Sequence, residues 1–182
     1  MTLYINCCVR EASRTDRLAR AVLQKLGGNF TEINLYEENP KPLDRETLAK
    51  RTALIEQGDY SDSLFDCAKQ FASAETIVVA APYWDLSFPA PLKAYFENIY
   101  VTGIVSAYDE NGLPRGLCKA KELYYVTTAG GPYDPTYSYG YAESLAKHFF
   151  GIPVTHLIKA EMLDITGNDA EEILNREMEK WI

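Results

Sequence analysis

Ser13, Arg14 and Thr15 place two hydroxyl groups and a guanidinium in a row at the predicted start of a helix. The first N–H groups of a helix have no partner within it, and the positive end of the helix dipole attracts anions. The hydroxyls and the arginine add further hydrogen-bond donors. The segment is therefore predicted to bind a phosphate group, the simpler alternative being that Ser13 or Thr15 only caps the helix. Residues 8–15 match neither the dinucleotide fingerprint nor the P-loop pattern.

A second segment whose residues could contribute to a binding site follows the apolar run Thr76–Ala81. This run fits a strand buried on both faces. Pro82 ends this strand, because its nitrogen carries no hydrogen for the sheet ladder. Tyr83, Trp84 and Asp85 come next, on a loop. Two flat side chains at the carboxyl end of a buried strand are suited to hold a flat ligand. An aromatic cluster at this place can instead cap the core or form a dimer interface.

The third segment is Thr128, Ala129, Gly130 and Gly131. Glycine has no side chain, so the backbone here can approach a ligand closely; alternatively the loop needs a positive φ. Taken together, the three segments suggest a phosphate at one end of a site and a planar ring at the other. Flavin mononucleotide (FMN) fits that shape.

The elements that must position these segments alternate along the chain. Helical patterns separate the strands, with one additional helix after the second strand, and this alternation predicts an α/β fold with a parallel sheet and helices on both faces. In the doubly wound order 2-1-3-4-5, ligands bind beyond the strands' carboxyl ends, where the order reverses. The loops after strands one, three and four then share one edge. The five strands are predicted at Leu3–Cys7, Thr31–Leu35, Thr76–Ala81, Leu123–Thr128 and His156–Ala160.

Local signals mark the helix ends and one turn. Asp44 and Asp169 are predicted to cap helices, and Ser61 or Asp62 is predicted to cap a third. A further helix is predicted near residues 141–150. The segment 105–117 contains Asn-Gly, which predicts a small hairpin outside the sheet.

Composition limits the classes of protein that this chain can belong to. Its 182 residues suit a single domain over residues 1–182, and a net charge of −8 argues against a nucleic-acid partner. No apolar run approaches the roughly 20 residues of a membrane span, and no leader pattern opens the chain, so a cytoplasmic protein is expected. The four cysteines are expected to be free thiols, and no metal site is expected because His148 and His156 lack cysteines at ligand spacing.

The combined motifs resemble the flavodoxin-like NAD(P)H quinone reductases and FMN-dependent azoreductases. The resemblance runs along nearly the whole chain. It is carried by Cys8-x4-Ser13-Arg14-Thr15, by Pro82-Tyr83-Trp84-Asp85 with Leu92-Lys93-x-Tyr95-Phe96, by Tyr108-x2-Asn111-Gly112-x3-Gly116-Leu117, and by Thr128-Ala129-Gly130-Gly131.

The resemblance implies a cofactor site in these loops. Residues 13–15 would hold the FMN phosphate, residues 82–85 would line the isoalloxazine ring, and residues 128–131 with Tyr133 would border its other side. Cys8 belongs to the same set through its motif. The implied cofactor-binding residues are thus Cys8, Ser13, Arg14, Thr15, Pro82, Tyr83, Trp84, Asp85, Thr128, Ala129, Gly130, Gly131 and Tyr133.

Two loops depart from the family pattern. The family usually has Pro-Met-Tyr-Asn where this chain has Tyr83, Trp84 and Asp85 after the proline. An inward carboxylate at residue 85 would disfavour an anionic reduced flavin, whereas its backbone N–H could still serve. The usual Ser-Arg-Gly-Gly is Thr-Ala-Gly-Gly here, so Ala129 is expected to widen the substrate cleft.

The resemblance also implies an activity. NADH or NADPH would reduce bound FMN, and two electrons would pass to a quinone, azo or nitro compound in a ping-pong reaction without an essential side-chain nucleophile. A homodimer is expected. The alternatives are a flavin-binding ancillary or regulatory subunit of a transport system, with a membrane-protein partner, and a flavodoxin-type electron carrier.

Overall fold

The computed structural model describes residues 1–181. Over these residues the chain forms seven strands: β1 (Thr2–Asn6), β2 (Phe30–Asn34), β3 (Thr76–Ala80), β4 (Ser106–Tyr108), β5 (Pro114–Gly116), β6 (Glu122–Thr128) and β7 (Val154–Ala160). Five of them form one parallel sheet in the order β2-β1-β3-β6-β7, while β4 and β5 pair separately. With the separate pair set aside, this is the order 2-1-3-4-5, so the predicted flavodoxin-like topology is confirmed.

Helices connect the strands. The same part of the chain forms α1 (Arg14–Lys25), α2 (Leu35–Glu38), α3 (Arg45–Glu56), α4 (Asp66–Ser73), α5 (Ala90–Ile99), α6 (Tyr139–Leu145) and α7 (Ala170–Glu179). A 3₁₀ turn (Ser63–Phe65) leads into α4, and a π turn (Ala146–Phe150) continues α6. None of the helices described over residues 1–181 combines the length and apolar character needed to cross a bilayer.

Both faces of the sheet are covered, because successive strand residues point to opposite sides. Ile77 packs with Phe71 of α4 on one face, in the cluster that α5 and α6 complete. Val78, the next residue along β3, packs with Leu18 of α1 and Leu174 of α7 on the other face. The middle residues of the central strands are therefore largely apolar on both faces, as in parallel strands between two helical layers.

Side chains cap most of the helices that the sequence marks. Ser13, Asp44 and Asp169 each accept a hydrogen bond from a backbone N–H in the first turn of α1, α3 and α7. Asp62 caps the 3₁₀ turn rather than α4, whose own cap position is Phe65. The extra turn shifts the start of the regular helix beyond the residue that the sequence marks.

Strand boundaries differ slightly from the prediction. Cys7 lies just beyond β1, although its N–H still donates to the Ala80 carbonyl at 2.8 Å. Leu35 opens α2 instead of ending β2. The reason is Asn34, whose side chain accepts the N–H of Tyr36 at 3.0 Å and caps a new helical turn.

The predicted hairpin is confirmed by the antiparallel pairing of β4 with β5. Asp109 organises its turn by accepting the N–H groups of Asn111 and Leu113, each at 2.9 Å. At the other end, a Cβ on Gly116 would lie 2.0 Å from the backbone nitrogen of Gly151. Glycine at position 116 therefore lets the hairpin lie against the end of the π turn.

Candidate functional site

A cleft of about 470 Å³ opens at the carboxyl edge of the sheet. Three of its walls are the loops after β1, β3 and β6, which the strand order brings to one edge. A fourth wall comes from the loop after β7. The lining residues are Val9, Arg10, Ala12, Ser13, Arg14, Thr15, Pro82, Tyr83, Trp84, Thr128, Ala129, Gly130, Leu163 and Asp164.

The start of α1 forms one end of the cleft. The Ser13 hydroxyl accepts the N–H of Asp16 at 3.3 Å, so the capping interpretation of this residue is confirmed. The N–H groups of Arg14 and Thr15 belong to the first turn, where a helix offers no acceptor of its own. Capping and anion binding are compatible here, because the cap uses only one of the first N–H groups.

Thr15 joins two walls of the cleft. Its hydroxyl lies 2.6 Å from the hydroxyl of Thr128, which ends β6. Thr15 is almost completely buried, whereas Thr128 is half-buried at the cleft. This bond fixes the spacing between the start of α1 and the glycine loop.

Arg14 faces a carboxylate within the cleft. Its Nη1 donates to Oδ1 of Asp164 at 2.8 Å. Both side chains remain partly open to solvent, with 38% and 69% of their surfaces exposed. One arm of the guanidinium is thereby engaged by the loop after β7, and the fork retains further donors.

The aromatic loop is tied to the sheet and then turns away. The N–H of Tyr83 donates to the Thr128 carbonyl at 3.0 Å. Trp84 and Ser87 exchange backbone hydrogen bonds of 3.1 and 2.8 Å, which closes a tight turn. Asp85 lies in that turn, is exposed and does not line the cleft.

Tyr133 supports the cleft from behind rather than lining it. Its ring packs edge-on against Tyr83, with centroids 4.7 Å apart. Its hydroxyl lies 2.7 Å from the Ser138 hydroxyl, and its N–H donates to Glu161 at 2.8 Å. Burial raises the pKa of the Tyr133 hydroxyl. These contacts hold the Tyr83 ring at the wall of the cleft.

The structure decides one of the two sequence interpretations of the glycine loop. Neither Gly130 nor Gly131 has a positive φ, so the backbone explanation is wrong at both. A Cβ on Gly130 would lie 2.4 Å from Oδ2 of Asp164, whose N–H donates to the Gly130 carbonyl at 2.8 Å. Gly130 thus makes room for the partner of Arg14. Gly131 lies outside the cleft lining, with open space at its Cβ position.

Cys8 also lies outside this lining. Its N–H donates to the Asn6 side chain at 2.9 Å, and its sulfur lies 3.9 Å from the Ala80 carbonyl. Burial raises the pKa of Cys8 to about 12, and that of Cys7 likewise to about 12. Both thiols are protonated at neutral pH. All four cysteines of the chain are free, as expected; Cys7 and Cys8 are buried and the other two half-buried.

Sequence reasoning missed the lining residues of two segments. Leu163 and Asp164 follow the fifth sheet strand, whose loop is not among the three predicted from the sequence. Val9, Arg10 and Ala12 lie within the first loop, which was predicted, but carry no motif of their own. The available signal was positional, since every loop at the carboxyl edge of such a sheet is a candidate wall.

Fold and cleft together define a flavodoxin-like protein with a cleft at its topological switch point. A family model described as flavodoxin-like fold matches residues 1–182, and the chain belongs to that family.

Several relatives are similar along nearly the whole chain. An FMN-dependent NADH:quinone oxidoreductase of Clostridium acetobutylicum is 36% identical over 98% of this chain and 94% of its own length. One from Clostridium beijerinckii is 41% identical over the same shares. The structure of an FMN-dependent NADH-azoreductase from Bacillus anthracis in complex with FMN superposes with a TM-score of 0.80. It is 23% identical over 98% of this chain and 94% of that chain, which supports the shared fold.

Proposed function

We propose that this protein is an FMN-dependent NAD(P)H oxidoreductase that reduces quinones, azo or nitro compounds by two-electron, ping-pong transfer. The observation that carries the proposal is the cleft itself. It combines an anion-binding helix start with aromatic side chains at the switch point of a flavodoxin-like sheet. The full-length similarity to quinone oxidoreductases named for FMN and NADH supports the same activity.

The donor set of the cleft fits FMN. The N–H groups that begin α1, the Ser13 hydroxyl and the free arm of Arg14 suit a phosphate dianion. Tyr83 and Trp84 offer apolar ring surface for the isoalloxazine, with Pro82 at its edge. When bound, FMN supplies the redox chemistry, while the protein supplies binding, orientation and electrostatics.

The remaining predicted residues act indirectly in this proposal. Tyr133 orients Tyr83, and Gly131 leaves open space beside the glycine loop. Cys8 helps to shape the first loop through its bond to Asn6. Asp85 offers only its backbone, since its exposed side chain lies on the turn outside the cleft. The Asp85 carboxylate therefore does not line the cleft. A carboxylate inside the cleft would disfavour an anionic reduced flavin.

The side chains of the cleft perform no covalent step in this proposal. The nearby thiol of Cys8 is protonated, because burial raises its pKa to about 12. Ala129, at the position where the resemblance implies an arginine, contributes only a short, buried and uncharged side chain to the lining of the cleft. A planar acceptor and the nicotinamide of NADH or NADPH therefore have room to use the same cleft in turn.

A homodimer is part of the proposal. A groove of about 330 Å³ runs between α3, α5 and the end of α6, and its walls are largely aromatic and aliphatic. Apolar grooves of this kind are suited to pack against a second copy of the chain. Light scattering on the purified protein tests this part, with twice the mass of the chain as the expected result. The groove is lined by Leu43, Arg51, Phe96, Glu97, Tyr100, Tyr141, Leu145 and Phe149.

The activity is tested with purified protein, added FMN, NADH or NADPH, and a benzoquinone acceptor. We expect stoichiometric flavin and rapid oxidation of at least one nicotinamide, with parallel lines in double-reciprocal plots. Flavin binding with negligible turnover for every quinone, azo and nitro acceptor would instead favour the ancillary binding protein.

We also propose a cytoplasmic location, which fractionation of the source cells tests.

A further inference from the structure

Asp164 is the one carboxylate among the residues that line the cleft over residues 1–181. Its side chain stands at the end of the cleft where α1 begins, because it pairs with Arg14 at 2.8 Å. A negative group at an anion-binding helix start works against the purpose of such a site. This placement therefore needs a physical explanation.

The position of Asp164 is built into the loop. Its N–H donates to the Gly130 carbonyl at 2.8 Å, and the N–H of Leu163 donates to the Ala129 carbonyl at 3.2 Å. The missing side chain at Gly130 makes room for the carboxylate, since a Cβ there would lie 2.4 Å from Oδ2. Backbone bonds and a glycine thus direct the carboxylate toward Arg14.

We propose that Asp164 lowers the affinity of the cleft for the phosphate group of FMN by occupying Arg14. The inference rests on the proposed FMN site and concerns the residue that sets how tightly that site holds its cofactor. An incoming phosphate must share the guanidinium with the carboxylate or displace it. It also meets a like charge, which repels a dianion at close range.

The geometry favours competition over support. Only one guanidinium nitrogen of Arg14 is bonded to Asp164, and both side chains are partly exposed. An exposed pair of this kind contributes little to fixing a side chain, because solvent screens it and holding two flexible chains costs entropy. The charge of Asp164 nevertheless acts on any phosphate bound beside Arg14. Solvent screens this repulsion too, but a phosphate dianion carries twice the charge of the guanidinium, so the net effect in this proposal is weaker binding.

The test is a fluorescence titration of the apo-protein with FMN and, separately, with riboflavin, which lacks the phosphate. Asp164→Asn keeps the side-chain shape and removes the charge. We expect this variant to bind FMN about fivefold more tightly, from the strength of an exposed ion pair. Riboflavin binding should stay unchanged. The gain for FMN should shrink as salt is raised, since the Debye length falls to about 3 Å at 1 M.

A matched control comes from the neighbouring ion pair between α1 and α7. Arg17 donates to both carboxylate oxygens of Glu171 at 2.8 Å, and this pair is similarly exposed. Neither residue lines the cleft. Glu171→Gln therefore changes the net charge by the same amount and leaves the bond between Arg14 and Asp164 in place, although Glu171 also attracts Arg14 at longer range. We expect its effect on FMN affinity to be much smaller than that of Asp164→Asn.

Several results would overturn the inference. Weaker FMN binding in Asp164→Asn would make Asp164 a positioning residue for Arg14, and unchanged binding would remove its role. An equal gain in FMN affinity in Glu171→Gln would show that only the net charge of the protein matters. An equal gain in riboflavin affinity in Asp164→Asn would show that the effect does not act through the phosphate. If the unsubstituted protein binds neither flavin, the proposed function itself fails, and that outcome is distinct from the others.

Discussion

The hydroxyl oxygens of Thr15 and Thr128 lie 2.6 Å apart and join the start of α1 to the end of β6. These two residues belong to a helix and a strand whose ends the sheet order brings to one edge. Their bond sets the width of the cleft between the helix start and the glycine loop.

Thr15→Val removes the bond while nearly keeping the side-chain shape. We expect the free energy of unfolding to fall by about 1 kcal/mol, the net contribution of a typical hydrogen bond, and FMN binding to weaken. Urea unfolding and flavin titration check these two effects. Thr52→Val is the control, because that hydroxyl bonds the Leu48 carbonyl on exposed α3, away from the cleft. Equal effects in both variants would contradict the role given to Thr15.

Ser13 has a capping role that can be separated from its place in the cleft. Ser13→Ala should cost about 1 kcal/mol of stability, because α1 loses its side-chain cap. Ser13→Asp restores a capping acceptor, and we expect stability closer to that of the unsubstituted protein. Denaturant unfolding of the apo-proteins tests whether Ser13→Asp is more stable than Ser13→Ala. An alanine variant as stable as the aspartate variant would show that the cap contributes nothing.

The turn after Trp84 carries backbone strain. Leu86 has a φ of 67°, which is a left-handed conformation, and its side chain is 60% exposed. Burial of the side chain therefore does little to offset the cost of this conformation. Leu86→Asn should stabilise the protein by about 1 kcal/mol, because asparagine adopts this conformation more readily. Thermal unfolding checks the change. Leu113→Asn is the control: Leu113 is 61% exposed and is not among the residues with a positive φ. A gain in the control as large as that in Leu86→Asn would contradict the strain explanation.

Stability should also fall in alkali. Burial raises the pKa of Cys7 and Cys8 to about 12, while thiols in an unfolded chain titrate near about 8.5. The folded state therefore keeps protons that the unfolded state has lost, and stability present below about pH 8.5 is lost as the pH rises toward about 12. Each thiol contributes at most about 1.4 kcal/mol per pH unit.

Urea unfolding between pH 8 and pH 10.5 measures that slope. Cys8→Ala should show a flatter decline than the unsubstituted protein, because one of the titrating thiols is gone. The buried thiols should also react slowly with an alkylating reagent in the native protein at pH 8, and they should react fast once urea unfolds the chain. An identical pH slope in the alanine variant would contradict the burial argument.

Sequence reasoning predicted the sheet and its loops because their signals are local. The apolar run before Pro82 predicts a buried strand, and Ser13 marks a helix start from its type alone. The alternation of strands and helices then predicts a parallel sheet with helices on both faces. These signals need no knowledge of contacts between distant residues.

The remaining features depend on tertiary contacts. Gly130 is explained by Asp164, which reaches it from the loop after β7 and carries no motif. Tyr133 was placed at the ring but lies behind Tyr83, since spacing along a loop does not say which aromatic faces the cleft. Asp85 points outside the lining because its turn takes a left-handed conformation that no glycine announces.

Flavin titration of the Ser13→Asp variant tests the central claim most directly. The claim is that a phosphate binds where α1 begins, within the cleft formed by the loops after β1, β3 and β6. The unsubstituted protein should bind one FMN per chain and turn yellow. The aspartate variant should remain folded and bind none, because its carboxylate repels the phosphate at the helix start. Stoichiometric FMN in the folded variant would contradict the account.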